Sequence, residues 1–188
     1  LIHRAHELGL QHRDLKPSNI MLDAQLRPRI LDFGLASRDP DTGHGIGTLP
    51  YLAPEQLDPS RPIDARTDVY ALGVVLYELL CGARPFDHDT DDRTLAAIRD
   101  GRPRLPVEVQ PDVPEPLQAI ALKAMETDPQ RRYASAREMA IELQRYLDGR
   151  PVLARPSLYA TALGRRLHPH LEQFDEWLRL KLIYPEEA

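Results

Sequence analysis

The chain has 188 residues, of which 42% are hydrophobic and 28% charged, the make-up of an ordinary soluble domain able to bury a core. A net charge of −5 and a pI near 5.8 argue against a nucleic-acid partner, no stretch approaches the ~18 uninterrupted apolar residues of a membrane helix, and no signal peptide opens the chain. A single cysteine, Cys81, rules out an internal disulfide, and eighteen prolines, about twice the usual ~5%, predict many looped connections.

Leu1, Ala5 and Leu8 recur at helical spacing and Gly9 is a stop signal, so a first helix is predicted over residues 1–9. The loop His12-Arg13-Asp14-Leu15-Lys16-Pro17-Ser18-Asn19 follows. Ile20–Leu22 and Arg29–Leu31 read as two short strands joined by a turn through Asp23, Ala24 and Gln25, a hairpin that returns Asp32 to the neighbourhood of Asn19. Asp32-Phe33-Gly34 opens an irregular segment that ends at Ala53-Pro54-Glu55. Within it, Gly43-His44-Gly45-Ile46-Gly47 looks like a phosphate loop only superficially, because its last two glycines are too closely spaced and it follows Asp32.

Val69 to Cys81, apolar except for Glu78 and closed by Gly82, predicts a helix buried on nearly all sides, with Asp64 available as its cap and Cys81 as a buried small hydrophobe. Asp87, Asp89, Asp91 and Asp92 suggest a calcium loop, but Asp92 stands where the turn glycine belongs and Ile98 where the bidentate glutamate belongs, so a polar loop before the next helix is expected. His3 and His6 lack a third ligand, and no zinc site is assigned. Leu117, Ile120, Ala121 and Ala124 mark a further helix. Ser135-Ala136-Arg137-Glu138 is a capping box opening another, through Met139, Ala140, Leu143 and Leu147 to Gly149. A proline-punctuated linker, 150–156, precedes an amphipathic helix after Pro169 that carries Phe174 and Trp177.

The ordered motifs around Asp14, Asp32 and Glu55 have the chemistry of phosphoryl transfer. An alcohol nucleophile needs a carboxylate to take its proton, and Asp14 is the candidate. Lys16 can set a positive charge on the γ-phosphate, while the Asn19 amide oxygen and the Asp32 carboxylate are hard ligands suited to magnesium. In isolation these residues would read as a loop acid, a surface lysine and a turn cap. Together they resemble the serine/threonine protein kinase superfamily, specifically its bacterial eukaryotic-like (Hanks-type) branch.

That resemblance covers residues 1–149 and implies the large, C-terminal lobe of a kinase, mainly α with a short β hairpin at the catalytic loop, and residues 150–188 as linker and helical tail. It implies ATP with Mg2+, or Mn2+ in its place, and a protein substrate. Thr48 resembles the threonine that joins the catalytic aspartate and lysine, and with Lys16 favours Ser/Thr acceptors. Arg13 resembles the arginine that anchors a phosphorylated activation loop, with Ser37 and Thr42 as the available acceptors. Asp68 matches the aspartate that bonds catalytic-loop amides, and Arg132 the arginine that pairs with Glu55. With only Lys16, Lys123 and Lys181 present, the ATP-anchoring lysine has no counterpart, so a small lobe is expected upstream and the chain alone is expected to be nearly inert. A cytoplasmic location is expected, with any membrane anchor outside the chain. The competing readings are a non-catalytic scaffold piece and a small-molecule kinase, which generally lacks the protein-substrate groove implied by Lys16, the Thr48 region and Ala53-Pro54-Glu55.

Overall fold

Asp64 opens the longest of the described helices, α2 (Ala65–Cys81), by accepting the Arg66 N–H at 2.7 Å. A computed structural model of the chain describes residues 1–33 and 49–157. Gly82 ends α2 in a left-handed turn, φ 64°, a conformation that glycine adopts without a Cβ penalty. The helix starts four positions before the apolar run at Val69, because the cap lies at Asp64 and Ala65, Arg66, Thr67 and Asp68 form the first turn. Nor is it buried all round: Val69, Tyr70, Val74 and Tyr77 are interior, but Leu79 is 77% exposed and Cys81 is only partly covered.

The remaining elements are α1 (Ile2–Glu7), β1 (Ile20–Leu22), β2 (Pro28–Ile30), α3 (Asp91–Asp100), α4 (Pro106–Val109), α5 (Glu115–Ala124) and α6 (Ala136–Leu147), with short 3-10 turns at Pro17–Asn19, Leu49–Tyr51, Pro54–Leu57 and Pro129–Arg131. The expected class is what the structure shows: mainly helical, with one two-stranded antiparallel sheet among the described residues, beside the loop of Asp14. α2 packs against α5, and α6 lies against both. Gly73 makes the closest approach possible, since a Cβ there would meet Ala124 Cβ at 2.7 Å and Met125 Cγ at 2.9 Å. Tyr51, Tyr77, Phe86 and Ile98 extend the same core.

In α1 the buried face is Ile2 and Ala5 with His6, not Leu1 and Leu8, which are 67% and 69% exposed; the helix is turned so that His6 can reach α2. The hairpin pairs Ile20 with Ile30, Met21 with Arg29 and Leu22 with Pro28. Its turn is longer than the three residues expected and runs over 23–27, because Asp23 accepts the N–H groups of both Gln25 and Arg27 at 3.0 Å and donates its own N–H to the Arg27 carbonyl. Pro28 can open the second strand because a two-stranded sheet does not require its missing N–H there. Before α3, the acidic run is organised by Thr90, whose hydroxyl caps the helix, and by ion pairs of Asp87 with Arg84 and Asp89 with Arg93.

Ser135 caps α6, although the Glu138 carboxylate accepts from Ala134 N–H rather than from Ser135 N–H, and the covered face carries Met139 and Glu142 while Ala140 and Leu147 are exposed. Leu1–Arg155 is one unit and Pro156–Ala188 another. Past α6, the chain is fastened by Leu153 N–H to Glu142 Oε2 and by Arg145 Nε to the Pro151 carbonyl, both 2.7 Å, and Ala154 is buried. Among the described residues no helix is long and apolar enough to cross a membrane. Ser37, Thr42, Thr48, the Gly43–Gly47 run and the predicted tail helix with Phe174 and Trp177 lie outside the described residues.

Candidate active site

The loop between α1 and β1 is held by one buried carboxylate. Asp68, in the first turn of α2, accepts His12 N–H on Oδ2 and Arg13 N–H on Oδ1, each at 2.8 Å, and His6 Nε2–H on Oδ2 at 2.7 Å. Three donors converge on two oxygens with only 1% of the side chain exposed, and charge-assisted bonds of this kind are the strong ones. They hold Arg13 at φ 65°, a left-handed conformation that costs a non-glycine residue about 1–3 kcal/mol. The Asp64 carboxylate, at the helix start, makes the cap.

Asp14 follows that strained residue. Its Oδ2 meets Lys16 Nζ at 2.8 Å. Asn19 Nδ2 donates to the Asp14 carbonyl at 2.8 Å and to Oδ2 at 3.3 Å. Oδ1 is buried and has no hydrogen-bond partner among the described residues. Because both Asn19 bonds engage its nitrogen, the amide oxygen is the atom available to a cation.

The hairpin closes the site from the other side. Leu31 donates its N–H to the Asn19 carbonyl at 2.9 Å and its carbonyl accepts from His12 Nε2–H at 2.6 Å. Asp32 comes next, at φ 57° and solvent-exposed, so the two oxygen ligands singled out from the sequence spring from neighbouring backbone. Their chemistry, one amide oxygen and one carboxylate, fits a magnesium ion that keeps part of its water shell. Among the described residues no group of three or more His, Cys, Asp or Glu side chains could hold a metal.

Glu55 and Arg132 meet in the interior, and Thr67 Oγ1 also donates to Glu55 at 2.8 Å. Burial opposes ionisation of Glu55, yet the bonds and charge of Arg132 outweigh it and hold the carboxyl below the usual range. Arg132 further donates to the carbonyls of Glu126, Arg66 and Thr127 and lies over the Tyr70 ring at 4.8 Å. Arg13 has its guanidinium on Gln11 at 3.3 Å.

Two residues that sequence reasoning passed over belong to this site. His12 is fully buried, receives the Asp14 N–H on Nδ1 at 3.3 Å and packs edge-on against Phe33 with ring centroids 5.0 Å apart. Accepting at Nδ1 and donating at Nε2 fixes its neutral tautomer. His6 was considered only as a metal ligand; its spacing from Ile2, on the covered face of α1, was the available signal.

With this geometry in hand, comparison with known proteins is decisive. Residues 2–143 match the protein kinase domain model. The chain belongs to the protein kinase family. It is 38% identical over 167 residues to the probable serine/threonine-protein kinase SCO3848 of Streptomyces coelicolor, covering 85% of this chain and 25% of that protein. It is 42% identical over 159 residues to the tyrosine-protein kinase MasK of Myxococcus xanthus, covering 78% and 24%. Serine/threonine-protein kinase PknB of Mycobacterium tuberculosis is 36% identical over 183 residues, covering 89% and 29%. The kinase chain thus spans about a quarter of the length of these curated relatives.

Proposed function

We propose that the chain is the large lobe of a serine/threonine protein kinase that transfers the γ-phosphate of ATP to protein hydroxyls. The observation that carries the reading is the Asp14 carboxylate, with Oδ2 on Lys16 and Asn19 and Oδ1 buried without a partner among the described residues. An unpaired buried carboxylate oxygen is costly, and an incoming alcohol O–H satisfies it. The acceptor oxygen then attacks the γ-phosphorus, its proton passes to Asp14, and ADP leaves with the electron pair of the broken P–O bond. Lys16 balances charge on the transferring group. Asn19 and Asp32 would hold magnesium, or manganese in its place, whose charge would neutralise the phosphate oxygens.

Arg13 is proposed to anchor the activation segment once Ser37 or Thr42 is phosphorylated, and Thr48 with Lys16 to select Ser/Thr acceptors. The tyrosine in the name of the Myxococcus relative makes acceptor type a direct question for phosphoamino-acid analysis. An acceptor protein and a cytoplasmic supply of ATP complete the reading.

The deciding experiment is Asp14→Asn in a protein that carries this chain with a complete small lobe. ATP binding persists while transfer falls roughly a hundredfold or more, the scale of a general base that also orients its substrate. Near-normal turnover would sink the assignment.

A further inference from the structure

Gln56 directly follows Ala53-Pro54-Glu55 and is half-buried. Its carboxamide is used in both directions: Oε1 accepts the Ala53 N–H and Nε2 donates to the Arg13 carbonyl, each at 2.9 Å, the second across 43 positions of sequence. The first bond is a turn cap that a glutamate makes at least as well near a helix start. The second needs a donor. A carboxylate in that place would set one oxygen against another, and asparagine is a methylene too short to span both partners.

The Arg13 carbonyl belongs to the peptide that leads into Asp14. Two bonds grip this peptide directly, Asp14 N–H to His12 Nδ1 at 3.3 Å and the Arg13 carbonyl to Gln56 at 2.9 Å, while Arg13 N–H to Asp68 and Asn19 Nδ2 to the Asp14 carbonyl, each at 2.8 Å, hold the backbone before and after it. The Asp68 bond lies on the far side of the Arg13 Cα and leaves the following peptide plane free to turn. The His12 bond is long and correspondingly weak. Rotation of the Arg13–Asp14 peptide plane, which would shift Asp14 against its bonds to Lys16 and Asn19, is therefore opposed more by Gln56 than by His12.

We infer that Gln56 is a positioning residue: it ties the peptide before Asp14 to the turn that carries Glu55, so that Asp14 is aimed when this turn is seated on the helical core through Arg132. The inference rests on the reading of Asp14 as the base.

Gln56→Glu and Gln56→Met, made in the full-length protein and assayed with ATP and a serine acceptor peptide, test it. Gln56→Glu keeps the Ala53 cap and loses only the donor, so it remains the deciding variant if Gln56→Met does not fold. Its kcat falls about tenfold while KM for ATP stays within about twofold, because alignment rather than binding is lost. In an Asp14→Asn background the same substitution has less than about a twofold effect, as expected of a residue acting through Asp14. Equal losses in both backgrounds, a loss confined to KM, or no loss overturns the inference. If Asp14→Asn itself retains turnover, the base assignment falls separately, and amide hydrogen exchange decides on the tether: faster exchange at Arg13 and Asp14 in Gln56→Glu upholds it, unchanged exchange refutes it.

Discussion

Arg132 Nη1 and Nη2 meet Glu55 Oε1 and Oε2 at 2.6 and 2.7 Å, joining residues 77 positions apart with essentially no side-chain surface exposed. The arrangement is bidentate, and the pair's remaining hydrogen-bonding capacity is engaged by Thr67 and by the carbonyls of Arg66, Glu126 and Thr127. Full satisfaction of this kind lets a buried ion pair exist at all, since desolvation otherwise cancels the attraction. It fastens the turn after the activation segment to the start of α2 and to the loop preceding α6.

Arg132→Ala leaves a buried carboxylate alone. The expected loss is about 3–5 kcal/mol, a large part of a domain's whole stability, and the melting temperature drops by many degrees or the protein fails to accumulate. A melting curve superimposable on the parent's would mean that the pair contributes nothing.

The same pair sets an acid limit. The folded-state pKa of Glu55 lies below the ordinary value of 4.5, so its contribution is complete above the unfolded-state value and is lost as pH falls through the folded one. Stability should fall on acidification below about pH 5, and Glu55→Gln should be less stable at neutral pH but flatter in that window. Asp23, held low first by the Arg27 backbone N–H, and Asp58, held low first by the Ser60 hydroxyl, act in the same direction on the exposed surface and are common to both proteins. Denaturant midpoints between about pH 3 and 7 measure the difference; parallel curves would contradict it.

How far the chain could be read in advance follows from what kind of bond makes each feature. Asp14, Lys16 and Asn19 lie within a few positions of one another, so type and spacing were enough to select them, and the capping signals at Ser135 and Gly82 act locally in the same way. His6 bonds Asp68 across 62 positions and Gln56 bonds Arg13 across 43, so no local pattern names the partner of either. The apolar face of α1 was read only in part: Ala5 is covered, but Ile2 and His6, which bonds Asp68, share that face while Leu1 and Leu8, flanking the helix, point outward. The hairpin turn was misjudged because the Asp23 side chain, rather than the apolar run, decides where the second strand begins.

Gly73 offers a test of packing alone. Alanine is the better helix former by about 1 kcal/mol, so an open position would gain. Here the added Cβ falls 2.7 Å from Ala124 Cβ and 3.2 Å from the Ala121 carbonyl, neither of which is a flexible chain end. Forcing α2 and α5 apart costs about 1–3 kcal/mol, and Gly73→Ala should be destabilised on balance. A raised melting temperature would show that the helices have room to move.

Asp64 and Asp68 stand four positions apart in one sequence run, and their substitution by asparagine should separate a cap from a scaffold. Asp64 accepts a single backbone N–H at the helix start, a task asparagine performs about as well, so Asp64→Asn should stay within a few tenths of a kcal/mol of the parent. Asp68 must accept from His6, His12 and Arg13 together. Asparagine presents one oxygen and one NH2 group, and the NH2 would face a backbone N–H or the His6 donor, leaving at least one buried donor unmatched at about 1–3 kcal/mol. Without both amide bonds, Arg13 has less to hold it at φ 65°, and the aim of Asp14 is lost with it. Asp68→Asn should therefore lower stability, speed hydrogen exchange at the His12 and Arg13 amides, and reduce kcat in the protein with its small lobe. Equal behaviour of the Asp64 and Asp68 variants would show that the carboxylate's three bonds do not organise the loop.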